Sequence, residues 1–277
     1  MSDRRVSTMA GGLVGSEILK IAADIRTLVA GGAEVCNLTV GDFSPKQFRI
    51  PAVLEREIIQ ALQQGETNYP PSEGVPDLRR AISEFYKRWL GLDYGVESIL
   101  VTGGARPGIH SVYTAVVDPG DTVLYPVPSW NNNHYVHLTG ARGVPIVCRA
   151  EDAFLPTRAT LEPHIRGARL LALNSPLNPS GTCFTAQALT EICDLVLEEN
   201  ARRGPDERPL YVMYDQVYWM LTFDGTQHVN PVSLRPEMRE YTLFVDGISK
   251  AFAATGVRVG WTVAPQDVTR RMGSVLG

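Results

Sequence analysis

The sequence predicts an α/β fold, a three-layer sandwich around a mostly parallel central sheet, and three observations carry that reading. From Ser98 onward, short apolar runs of strand length alternate with stretches of helical periodicity. Parallel strands need a crossover of helix length between them, so this alternation is what a parallel sheet demands. The chain has 277 residues, 44% of them hydrophobic, which is ample for a core on both faces of a sheet. Most side chains able to carry chemistry fall just beyond the expected strand ends, where open α/β sheets bind their ligands.

Taken in order, Ser16 is suited to cap a helix whose apolar positions Ile18, Leu19, Ile21, Ala22, Ile25 and Leu28 recur at helical spacing, ending at Gly31-Gly32. A short strand over Val35 to Leu38 is expected to lead into Gly41. Pro51 opens a second helix with Val53, Leu54, Ile58, Ile59 and Leu62 on one face and Gly65 at its close. A third runs from Pro76 to Leu90, its face made of Leu78, Ala81, Ile82, Phe85, Tyr86 and Trp89. Ile99 to Thr102 reads as a strand ending in Gly103-Gly104, followed by a helix to Val117 and the turn Asp118-Pro119-Gly120-Asp121. Thr122 to Tyr125 is the next strand, Ser129 to Leu138 a helix, and Val144 to Val147 and Arg169 to Leu173 further strands. Thr185 caps a long helix with Leu189, Ile192, Leu195 and Val196 inward. Leu210 to Tyr214, Thr242 to Val245 and Val257 to Val263 complete the strands. The charged stretch Glu198 to Arg208 reads as a solvated helix end and loop.

A formal charge of -4 with 20% charged residues gives no electrostatic support for a nucleic-acid or anionic-membrane partner. The cysteines Cys36, Cys148, Cys183 and Cys193 lack metal-type spacing and read as reduced thiols of a cytoplasmic protein. Met9 to Val14 is too short and glycine-rich for a signal core, and no run reaches the length of a membrane span.

Lys250 follows the apolar stretch Tyr241 to Val245 and Ser249, and is followed at eight residues by Arg258 and then Gly260. An amine at a strand-to-loop junction can form an imine with an aldehyde, and a guanidinium a short excursion later can grip a phosphate from the same side. Alone, Ser249-Lys250 is weak, since most lysines are solvated surface residues. Its company lies in chain order: Asn174-Ser175-Pro176-Leu177-Asn178-Pro179-Ser180-Gly181, then Asp215-Gln216-Val217-Tyr218. These segments resemble the doubled Asn-Pro, acid-x-x-Tyr and Schiff-base segments of pyridoxal phosphate (PLP) enzymes of the aminotransferase class I/II family, with its aspartate aminotransferase-like fold.

The resemblance implies a set of roles. Gly104, Ala105 and Arg106 would cradle the cofactor phosphate at a helix N-terminus; the plain alternative is a tight strand-to-helix turn. Trp130 would stack on the pyridine ring, or be a core residue. Asn178 and Tyr218 would donate to the phenolic oxygen, and Asp215 would keep the pyridine nitrogen protonated. Lys250 would hold the aldehyde and then move the substrate proton, with Ser249 and Arg258 on the phosphate. Gly247 stands where many relatives carry a phosphate-binding Ser, so one hydroxyl contact is expected to be missing or replaced. Gly41, together with Trp130 and Asn178, would face the substrate, Gly41 through its backbone. Tyr69, in Asn68-Tyr69-Pro70, would reach the neighbouring subunit's phosphate and so implies a homodimer with shared sites; otherwise it belongs to an ordinary rigid loop.

The expected organisation is an N-terminal arm with part of a small domain over 1–50 and a PLP-binding large domain over 51–277. The family's usual small C-terminal domain, with its carboxylate-binding arginine, is expected to be missing. The expected function is transfer of an amino group between an amino acid and a 2-oxo acid. A PLP-dependent lyase, decarboxylase or carbon-carbon synthase of the same fold and a non-catalytic PLP-binding module are the rivals. A nucleotide-binding reading of Gly103-Gly104 lacks the Gly-Lys-Ser/Thr it requires.

Overall fold

The computed structural model describes residues 5–13, 15, 17–37 and 41–277. It begins with helices α1 (Thr8–Gly11), α2 (Glu17–Ala30), α3 (Ala52–Gln63) and α4 (Pro76–Leu90). Strand β1 (Ile99–Thr102), helix α5 (Ala105–Val116), strand β2 (Thr122–Val127), helix α6 (Asn132–Thr139) and strand β3 (Arg142–Val147) follow. Next come α7 (Arg158–Ile165), β4 (Ala168–Asn174), α8 (Ala186–Arg202), β5 (Tyr211–Asp215), α9 (Pro231–Leu234), β6 (Thr242–Gly247), β7 (Gly260–Val263) and α10 (Gln266–Leu276).

The strands form one seven-stranded sheet in the order β1-β7-β6-β5-β4-β2-β3. Pairs among β3, β2, β4, β5 and β6 are parallel, and β7 runs antiparallel between β6 and β1. The pleat sends alternate side chains to opposite faces. Tyr214 and Phe244 thus join Tyr86, Leu189, Ile192 and Val196 of α4 and α8 on one face. Met213, Leu243 and Val245 join Ile109, Val112 and Met272 of α5 and α10 on the other. Helices therefore cover both faces, giving the expected three layers. Each buried Leu or Ile in these layers contributes roughly 1.5–3 kcal/mol.

Several elements sit where the sequence places them. Strand β1 and helix α4 match residue for residue, and Thr185 caps α8 by accepting from the Ala188 amide at 3.2 Å. Other expectations are corrected. Residues 35–37 form no strand, and Leu38 and Ser16 lie outside the described residues. The helix expected from Ser129 begins at Asn132, since Asn131 takes a left-handed conformation (φ 43°) that ends the preceding loop. The strand expected from Val257 begins at Gly260, because Arg258 has φ 63°. Trp89 is 61% exposed and sits under Arg88 rather than in the α4 core face. The apolar face of α3 is also open, with Val53, Ile59 and Leu62 all exposed. Helices α7 and α10 had no sequence-based expectation: Pro163 interrupts the first pattern, and the polar run Gln266-Asp267 with Thr269-Arg270-Arg271 dilutes the second.

Candidate active site

The carboxyl ends of β4, β5 and β6 and the turn after β1 meet in one place. Asp215 ends β5 level with Asn174 of β4 and Val245 of β6. Asn174 locks the two loops together. Its Nδ2 donates to the Asp215 carbonyl at 2.8 Å, and its Oδ1 accepts from the Asn178 amide at 2.8 Å. This sets Asn178 so that its Nδ2 donates to the Tyr218 hydroxyl at 3.2 Å. The two groups expected to share an acceptor therefore converge on one point and bond to each other.

Asp215 is 9% exposed, and its Oδ1 accepts from the Val217 amide at 3.1 Å. Burial pushes its carboxyl up to about 6, against the Val217 amide and the positive charge of Lys250, which both pull it down. Lys250 lies half-buried with its Nζ donating to the Gly41 carbonyl at 2.7 Å and 5.8 Å from the Tyr218 ring centroid. Desolvation lowers its pKa, and nearby Asp42 and Asp215 partly restore it. The amine and the acid are thus close enough to influence each other's charge.

Behind them lies a cradle for an anion. Gly104 caps α5 with φ 95°, a conformation costly for any side chain-bearing residue. A Cβ there would also collide with the Arg258 guanidinium. Arg258 thus lies directly against the helix N-terminus, where the first amides of α5, from Ala105 and Arg106, have no partner within the helix. Arg106 turns its guanidinium over Trp130, 5.2 Å from the ring centroid. Trp130 itself lies in the loop two residues before α6, not in its first turn. Ser249 is buried beside the amine, and its carbonyl accepts from the Ala254 amide at 3.1 Å.

Gly247 has a steric reason. A Cβ at this position would come within 2.9 Å of the Val259 carbonyl, so a serine hydroxyl has no room there. Tyr69 stands apart: its side chain is fully exposed on the loop between α3 and α4 and touches none of the others.

Three further residues belong to the site without having been singled out. Asp42 accepts from Thr255 Oγ1 at 2.7 Å, tying the Gly41 segment to the loop after Lys250. Asn174 was visible only as part of its motif. Tyr135 of α6 lies within the fields of Arg106 and Asp215. Asp246 lies next to the site but on the other face of the sheet; a charge at the end of an apolar strand four residues before Lys250 was its signal in the sequence.

A buried carboxylate, an amine of depressed pKa, two converging donors and a guanidinium closed over a helix N-terminus make an α/β sheet-end site for an anionic aldehyde. The residues present fit pyridoxal phosphate: the Arg258 and α5 cradle suits a phosphate, and Asp215, buried without a hydrogen-bonded cation, suits a protonated ring nitrogen. The family model for aminotransferase class I and II matches residues 33–277, and the chain belongs to that family, whose members depend on PLP. Aspartate aminotransferase of Rhizobium meliloti (strain 1021) is 34% identical over 262 residues, covering 94% of this chain and 61% of that protein. Aspartate aminotransferase of Geobacillus stearothermophilus is 29% identical over 272 residues, covering 97% and 66%. The structure of aspartate aminotransferase from Thermus thermophilus with maleate superposes at a TM-score of 0.89 with 29% identity over 99% of this chain and 68% of that one. The chain therefore spans 61% to 66% of the length of these curated relatives.

Proposed function

We propose that this chain is the cofactor-binding part of a PLP-dependent aminotransferase that moves an amino group between an amino acid and a 2-oxo acid. The single observation behind it is the meeting of Lys250, Asp215 and the Arg258-closed cradle, with Lys250 within the electrostatic reach of both Asp215 and Arg258. Bound there, PLP supplies an aldehyde carbon to exchange amino groups and a ring to accept electron density from the substrate carbon.

The chain's own residues do the rest. Desolvation lowers the pKa of the Lys250 amine, the direction that favours a base, and Lys250 would be the group that takes a proton from the substrate α-carbon. Asp215, ionised above about pH 6, would pair with a protonated ring nitrogen. Asn178 and Tyr218, bonded to each other here, would both donate to the cofactor's phenolic oxygen. Ala105, Arg106, Ser249 and Arg258 would hold the phosphate, Trp130 would stack on the ring, and Gly41, Trp130 and Asn178 would face substrate.

We assign residues 51–277 to the large domain and 1–50 to an arm with part of a small domain. The exposed Tyr69 supports a homodimer in which each chain completes its partner's site. Four free cysteines support a cytoplasmic location. The exposed apolar side of α3 fits a chain that packs against further protein.

The test is covalent. PLP added to the purified protein should give a new absorption band, and borohydride should fix the cofactor on the Lys250 peptide, read by mass spectrometry. An unchanged band in Lys250→Ala sinks the assignment. An amino-acid panel then separates reactions: transfer to a 2-oxo acid supports this reading, whereas ammonia with pyruvate, or carbon dioxide, indicates a lyase or decarboxylase.

A further inference from the structure

A buried polar network lies on the sheet face opposite the candidate site, and three of its donors, from Tyr86, Trp219 and Gly247, end on one carboxylate. His228 Nε2 bonds Gln216 Oε1 at 3.2 Å, and Gln216 Nε2 donates to the Tyr86 hydroxyl at 3.2 Å. Trp261 Nε1 also donates to that hydroxyl at 3.2 Å. With both of its lone pairs occupied, the Tyr86 hydroxyl has only its proton left to give, and it donates to Asp246 Oδ2 at 3.0 Å. Trp219 Nε1 donates to the same oxygen at 3.1 Å, and the Gly247 amide donates to Oδ1 at 2.7 Å. Asp246 is 2% exposed and its three donors are all neutral. Such a group is costly to keep unless its geometry is useful.

The segments joined here are the ones that carry the reaction. Gly247 opens the turn to Lys250. Trp219 closes the turn Gln216–Trp219, its amide donating to the Gln216 carbonyl at 2.9 Å, and that turn presents Tyr218 beside Asp215. Trp261 follows Gly260 on β7, just past Arg258. Phe85 wedges the Trp219 indole, with centroids 5.6 Å apart, so the donor has one place to point.

We propose that Asp246 is a positioning residue: by accepting from Trp219, Tyr86 and Gly247 it fixes the Tyr218 turn, the Lys250 turn and the β7 strand against one another. This rests on the aminotransferase reading, since the positioned groups are those assigned to PLP. An asparagine cannot replace the carboxylate, because its amide nitrogen would face donors on one side.

The experiment compares wild-type protein with Asp246→Asn and, as the milder change, Trp219→Phe. In cofactor-free wild-type protein the Trp219 indole N–H resonance should lie downfield of the other three tryptophans and exchange slowly; Asp246→Asn should abolish that signature. With PLP, turnover of the donor found by the panel should fall tenfold or more in Asp246→Asn, toward the ~100-fold that a 1 Å misplacement costs, while KM moves less than about threefold. Borohydride fixation on Lys250 should slow in parallel, and Trp219→Phe should show a smaller loss of both. Wild-type rates and fixation in Asp246→Asn, or an unshifted Trp219 resonance in wild type, overturn the proposal while leaving the functional reading intact. Wild-type protein that takes up no PLP instead overturns the functional reading beneath it.

Discussion

The neighbouring ends of β5 and β6 each carry a buried aspartate, and a shift of one residue gives them different work. Asp215 is level with Val245 and shares its face of the sheet, so it points to the side where α5 and Lys250 lie. Asp246 comes one residue later and points to the opposite face, among Tyr86, Phe244 and Trp261. Since the pleat has a period of two, that single step decides whether a carboxylate meets a ligand or the core. One accepts a single backbone amide; the other accepts three donors, two on Oδ2 and one on Oδ1. An acid with one hydrogen bond in a closed site is available for chemistry, whereas one held by three donors is committed to holding structure.

The comparison is sharpest in activity. Asp215→Ala should lower aminotransfer by on the order of 10²- to 10³-fold, the range lost when an aimed charge is removed from an active site. A turnover assay at saturating PLP reads it, and a loss no larger than that of Asp246→Asn would remove the distinction between the two positions.

Stability follows with a definite sign. Both carboxyls have folded-state values above the ordinary 3.8, about 6 for Asp215 and about 7 for Asp246, each driven first by burial. The folded protein therefore binds more protons than the unfolded chain, so stability is present at low pH and lost as pH rises through these values. Asp215→Asn should flatten the part of this loss between pH 4 and 6 and raise the stability of cofactor-free protein at pH 8 by up to about 3 kcal/mol. Denaturant melts at several pH values measure it. A slope unchanged in Asp215→Asn would place the titrating group elsewhere.

Asp246→Ala should do the reverse. At pH 5, where the wild-type carboxyl holds its proton and no charge cost separates the variants, losing the acceptor of Tyr86 and Trp219 should cost about 2 kcal/mol. The deficit should narrow as pH passes 7. A deficit that grows instead would mean that the ionised form is the stabilised one.

The same contrast explains what could be read in advance. The Asp215 side was legible because its partners are local: Asn174 to Asn178, Asp215 to Tyr218 and Ser249 to Arg258 are short segments whose residue types state their chemistry. The strands were legible because apolar runs such as Ile99 to Thr102 have no other use. The Asp246 hub was not, because Tyr86 reaches it across 160 residues and Trp219 across 27, and no pattern along the chain records such separations. Trp89 was misplaced for a related reason: helical periodicity assigns a face, but only the neighbouring layer decides how far that face is covered.

The smallest test sits between the two aspartates. Tyr218 belongs to the Asp215 side through its hydroxyl, which accepts from Asn178, and to the Asp246 side through the turn that Trp219 anchors. Tyr218→Phe deletes the hydroxyl and leaves the turn and the ring near Lys250 in place. If the hydroxyl's own bond is what matters, the loss is that of one neutral hydrogen bond, about 1 kcal/mol, or roughly five- to tenfold in rate. The Trp219 indole resonance should not move, because the anchor is untouched. A shift of that resonance in Tyr218→Phe would mean that the hydroxyl also holds the turn, and the two strand ends would then act as one unit.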